Sequence, residues 1–79
     1  MMNFEIDAEP HELRIIFELK ELKDKIDKLN SFIKENPIFH RLEEIDQDLL
    51  ENQFYYMRCY EKILTKRIKR FKNRPNKLI

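Results

Sequence analysis

Arg67 stands between Lys66 and Arg70 in a 79-residue chain that also places Tyr56 and Tyr60 within the preceding three helical turns. A guanidinium holds a phosphate through paired, charge-assisted hydrogen bonds, and a tyrosine ring offers a face on which a nucleobase can stack. Gln53 and Arg67 both interrupt an otherwise apolar stripe, and a polar group in such a place needs a partner, because leaving it buried and unpaired is costly. Two partners fit. Within the chain, Arg67 falls opposite Glu12, and a pair there with a Gln53 contact would fix register or oligomer state. Between chains, Arg67 with Lys66 and Arg70 would hold a phosphate while Tyr60 or Tyr56 receives a base. His40 and Arg41, in the connection between the two helices, are placed to touch a ligand at the hairpin tip. The candidate ligand-binding set is therefore Arg67, Arg70, Lys66, Tyr60, Tyr56, Gln53, His40 and Arg41.

Other chemistries find little support. The chain has one serine, Ser31, one threonine, Thr65, and one cysteine, Cys59, and neither histidine has a partner at a spacing that makes a nucleophile and base on a helix. No catalytic residue is expected. Two distant histidines and a lone cysteine do not make a zinc site, so neither a metal nor another cofactor is expected. Glycine is absent, which excludes the phosphate-cradling loops of kinases, P-loop NTPases and dinucleotide-binding folds, whose tight turns need it. The opening Met1-Met2-Asn3-Phe4-Glu5-Ile6-Asp7 is acidic where a signal peptide is basic, and no apolar run approaches a membrane span. The expectation is a cytoplasmic protein without a membrane partner.

Two long helices must position these residues. In the first, about 10–35, Ile15, Leu19, Leu22, Ile26, Leu29 and Ile33 recur at spacings of 4, 3, 4, 3 and 4, the seam of a coiled coil. Asp7 or Glu9 can cap it, Pro10 suits its first turn, and Asn36-Pro37 stops it. A loop over 36–42 follows, and a second helix runs over about 43–72. Glu43, Glu44, Asp46 and Asp48 crowd its start and lysines and arginines its end, in the order that the helix dipole favours. At 100° per residue, Leu49, Leu50, Gln53, Tyr56, Met57, Tyr60, Ile63, Leu64, Arg67, Ile68 and Phe71 share one broad stripe. Tyr55 and Phe54 point off it and read as a contact surface. An N-terminal arm, 1–9, and a basic tail, 73–79, complete the chain.

The fold class is thus all-α, an antiparallel two-helix hairpin resembling a coiled coil. Ordering about sixty residues against so thin a core favours assembly into a homo-oligomer. Leu13, Ile16 and Phe17 lie off the seam of the first helix and, with Phe4 and Ile6, make that end apolar all round, so they are the expected interface. The charge is just as uneven. Residues 1–64 carry nine cations against fifteen carboxylates, net −6, whereas 65–79 carry seven cations and no carboxylate, net +7.

The run Leu29-x-x-Phe32, Phe39-x-x-Leu42 and then Gln47-x-Leu49-Leu50-x-x-Gln53-x-x-x-Met57-x-x-Tyr60-x-x-Ile63-Leu64-x-x-Arg67-Ile68 resembles a group of small helical-hairpin proteins of tailed bacteriophages, related to one from a crAss-like phage. The resemblance covers about residues 19–71 and implies a phage origin and a helical hairpin. Pro37, Leu50-Glu51 and Tyr55-Tyr56 are similar, more distantly, to positions of the phage sponge hairpins that counter cyclic-oligonucleotide and ADP-ribose immune signals. Their alanine-rich close-packing positions are replaced here by Phe54, Tyr56 and Tyr60, so the resemblance carries over no particular ligand.

The function expected is that of a non-enzymatic anti-defence sponge, which sequesters a cyclic nucleotide or an ADP-ribose-derived signal in basic, tyrosine-lined clefts of a homo-oligomer in the host cytoplasm. The alternative is an interaction module whose Leu13, Ile16 and Phe17 dock on a host protein and inhibit or redirect it. Nucleic-acid binding by the basic tail ranks last, since the rest of the chain is acidic.

Overall fold

The computed structural model describes residues 9–72, which form three helices: α1 (Pro10–Glu35), α2 (Pro37–Arg41) and α3 (Glu44–Lys72). Phe4, Ile6 and Asp7 of the N-terminal arm, and the basic tail from Asn73 onward, lie outside the described residues. Glu9 starts α1 in extended backbone, with Pro10 at the first helical position. The Glu9 N–H donates to Glu12 Oε1 at 2.9 Å, which satisfies a donor at the helix start and helps to hold the Glu12 side chain in its buried position.

Asn36 ends α1 and begins α2. Its N–H donates to the Phe32 carbonyl at 3.2 Å, while its Oδ1 accepts from the Ile38 N–H at 2.9 Å. With that cap in place and Pro37 preset to a helical φ, the connection expected as a loop over 36–42 folds instead into the five residues of α2. The Leu42 N–H closes α2 on the Phe39 carbonyl at 3.2 Å, and Gln47 Nε2 in α3 donates to the Leu42 carbonyl at 2.9 Å. Phe39 plugs this corner. It is buried, with its ring edge-to-face against Phe32 at 6.2 Å between centroids.

The long helices α1 and α3 pack against each other, and their core is narrow. Ile15, Leu22 and Ile26 of α1 form the core with the fully buried Leu64 of α3, and Leu19, Phe54, Met57, Ile68 and Phe71 pack against it. The molecule measures 57 × 23 × 16 Å, with a radius of gyration of 17.3 Å. A globular chain of this length would have roughly 11 Å. No described helix is long and apolar enough to cross a membrane, and none of the described residues is in a strand.

The broad stripe expected on the second helix divides in two. Leu50, Phe54, Met57, Leu64, Ile68 and Phe71, with Glu61 among them, follow spacings of 4 and 3 and turn toward α1 as an inner seam. Ile45, Leu49, Tyr56, Tyr60 and Ile63 form an outer seam, each of them between 40% and 67% exposed. Phe54 is therefore a packing residue and not the contact residue that its angle on an ideal helix suggests. At 100° per residue Phe54 stands 40° from both Leu50 and Ile68, outside the broad stripe but at the edge of the inner seam that α1 covers.

Candidate functional site

The outer seam of α3 carries three of the candidate ligand residues of this helix. Tyr56 and Tyr60 are exposed on it, and Arg67 continues it seven residues on from Tyr60 and four on from Ile63. The Tyr60 hydroxyl donates to a Glu18 carboxylate oxygen on α1, the juxtaposition that folding the chain about Phe39 predicts. This bond fixes the tyrosine ring on the side of the hairpin that Glu18 shares. Tyr55, one position before Tyr56, meets its ring edge-to-face at 5.2 Å between centroids. Its hydroxyl pKa is raised above the usual phenol value, first by the hydrogen bond with Cys59 and then by the negative charge of the Cys59 thiolate, so Tyr55 stays neutral into more alkaline solution.

Gln53 is exposed, and its amide donates only a long contact, 3.8 Å, to Met57 Sδ. The amide is free to turn to another acceptor. Lys66, Arg67 and Arg70 are all exposed. Among the described residues Lys28 pairs with Asp24 at 3.2 Å and Arg58 with Glu61 at 3.1 Å. Arg67 follows the outer seam, whereas Glu12 lies among the buried residues of α1. Arg58, by contrast, is occupied twice, since its guanidinium also sits 5.9 Å from the Phe54 ring centre.

His40 and Arg41 occupy the last turn of α2, both exposed, with the His40 ring against Phe39 at 5.4 Å. From Glu44 to Arg67 the chain climbs most of α3, roughly 35 Å at 1.5 Å per residue, with Arg41 before its start. The basic members of the set therefore fall into two groups at opposite ends of one rod, with Gln53, Tyr56 and Tyr60 between them. Shallow concavities lie beside Ser31, Phe32 and Pro37 at the tip, and beside Phe17, Lys20 and Asp24 on α1. Neither includes any of the eight. In a single chain they make an open surface with unspent charge and two ring faces.

Of the expected interface, Leu13 and Phe17 are exposed, Phe17 at 65%, whereas Ile16 is half-buried. Two features of the surface escape a reading by ideal helical angle. Ile45 extends the outer seam by a full turn, and the signal for it is the continuation of the 4 and 3 spacing backward through Ile45, Leu49, Asn52 and Tyr56. The coupling of Tyr55 to Cys59 has a simpler signal, their i, i+4 spacing. Among the described residues, no three His, Cys, Asp or Glu side chains gather as metal ligands would.

No curated protein and no solved structure matches the chain. A family model does, along residues 9–70, the stretch that spans all three helices. The chain belongs to the Sequestin family.

Proposed function

We propose that the chain is a non-enzymatic sponge: a homo-oligomeric hairpin, carried by a phage, that withholds a nucleotide-derived immune signal from a host defence. The family's name denotes sequestration, and a cyclic nucleotide or an ADP-ribose derivative is the class of signal that the exposed groups suit. One observation carries this reading. Arg67, Arg70 and Lys66 stand exposed on α3, in none of the ion pairs of the described residues, along the helix from the exposed rings of Tyr56 and Tyr60. Guanidinium groups in that state bind phosphate without first giving up a carboxylate, and the rings supply stacking area that tolerates different bases. Nothing in the reading requires a bond to be broken, so the captured molecule is released intact when the protein is denatured.

Calorimetry with a panel of cyclic dinucleotides and ADP-ribose derivatives tests it. At least one member should bind with measurable heat, and Arg67→Ala or Arg70→Ala should abolish that heat while leaving the mass in solution unchanged. No heat from any member would count against the sponge. A second reading, docking of Leu13, Ile16 and Phe17 on a host protein, has the 65% exposure of Phe17 in its favour. It predicts capture of one host protein that depends on Phe17 and is indifferent to Arg67.

A further inference from the structure

The outer seam of α3 has the composition and spacing of a helix interface and is covered by nothing in a single chain. Ile45, Leu49, Tyr56, Tyr60 and Ile63 expose between 40% and 67% of their surface along five helical turns. At ordinary side-chain areas this is roughly 600 Å², the upper end of what a monomer leaves open and not far short of the ~800 Å² that each partner buries in a standard interface. Asn52 stands in the seam between Leu49 and Tyr56, as a lone asparagine does in coiled coils where it selects one register.

Charge order says which partner fits and in which direction. From Glu43 to Glu51 the chain carries five carboxylates and no cation, and from Lys62 to Lys72 six cations and no carboxylate. A second copy laid parallel would set acid on acid and base on base. Laid antiparallel with Ile45 opposite the second copy's Ile63, the acidic stretch instead meets residues 57–65, where Arg58 and Lys62 outnumber Glu61. The apolar part of the seam runs from Ile45 to Ile63, so full overlap centres the pair on residue 54 and places Asn52 opposite the second copy's Tyr56.

We propose that two copies of this hairpin pair through the outer seams of α3, antiparallel about a two-fold axis near residue 54. In that register residue 64 lies level with the second copy's Glu44, the start of its α3, and Arg67 reaches just past it toward the corner where α2 carries Arg41 and His40. The two basic groups that lie at opposite ends of one chain thereby come together twice, once at each end of the pair. Cations brought that close repel one another, and a polyanion between them relieves the repulsion. This composite cleft rests on the sequestration reading, and because the seam covers the Tyr56 and Tyr60 rings it holds the anion by its cations alone; the seam itself stands on exposure and charge order.

Light scattering on the full chain at micromolar concentration should give an even number of chains. Ile63→Asp should reduce that number while circular dichroism keeps its helical signal, because Ile63 lies outside the α1–α3 core. A single-chain mass for the natural sequence, or an unchanged mass for Ile63→Asp, would overturn the seam. Direction is read by oxidation in a Cys59→Ser background. Ile45→Cys and Ile63→Cys together should form a covalent dimer and neither alone should, since within one helix the two positions are ~27 Å apart and cannot bridge. Self-crosslinking of either single variant would show a parallel pair and overturn the proposed axis. The ligand panel separates the two readings. A pair that binds no member keeps the seam and loses the sponge, whereas an Ile63→Asp monomer that binds as tightly as the natural chain loses the composite cleft and keeps the sponge.

Discussion

The inner and outer seams of α3 are built from similar side chains at similar spacing, yet one is the core of the hairpin and the other lies open. On the inner seam Leu64 is at 0% exposure; its neighbour in sequence, Ile63, is 54% exposed on the outer one. What separates them is only which seam α1 reaches. A helix that is apolar on two faces needs two partners, and this chain carries one of them within itself. Hydrophobic spacing thus says how many surfaces a helix must bury, and the length of chain available says how many it can bury alone.

The contrast is sharpest at that neighbouring pair. Leu64→Ala opens a cavity in the core that it shares with residues of α1 and should cost about 2–5 kcal/mol, enough to unfold a chain of this size. Ile63→Ala, measured by denaturant titration at a concentration where any assembly has dissociated, should cost less than about 0.5 kcal/mol. Equal losses would mean that the two seams are not distinct. Next in size is the corner that holds α3 beside α1. Asn36→Ala removes the cap of α2 and should cost about 1 kcal/mol in the same titration, with Asn36→Asp recovering most of it. The smallest effect belongs to the bond that ties the outer seam to α1. Tyr60→Phe loses the hydrogen bond to Glu18 at a partly exposed site and should cost about 0.5 kcal/mol, with no change in helical content. A loss as large as that of Leu64→Ala would place Tyr60 in the core.

Much of the fold is legible in the order of residues. Pro10 and Asn36-Pro37 bound α1 because proline restricts its own backbone and that of the residue before it, a local effect that needs no tertiary context. The facing of Tyr60 and Glu18 follows from folding two rods about their midpoint. The division of α3 into two seams is harder to see, because Glu61 interrupts the inner one. It is half-buried and paired with Arg58, and a carboxylate in that position breaks the apolar run that would otherwise mark the seam. The helical corner at Pro37–Arg41 is too short for any periodicity to show. For the candidate site, the residue types are readable and their meeting is not. His40 and Arg67 lie at opposite ends of one chain, and whether they share a ligand depends on a second molecule.

The shared cap at Asn36 also limits how the chain can be rearranged. Hairpins often exchange arms by straightening their turn into one continuous helix, which links neighbours into swapped chains. Here that rod would carry Pro37 in its interior, without an N–H and with its ring against the Ile33 carbonyl, at a cost of about 3 kcal/mol. The folded-back form is therefore the one the chain keeps, and a copy meeting another would arrive with its own arms already closed.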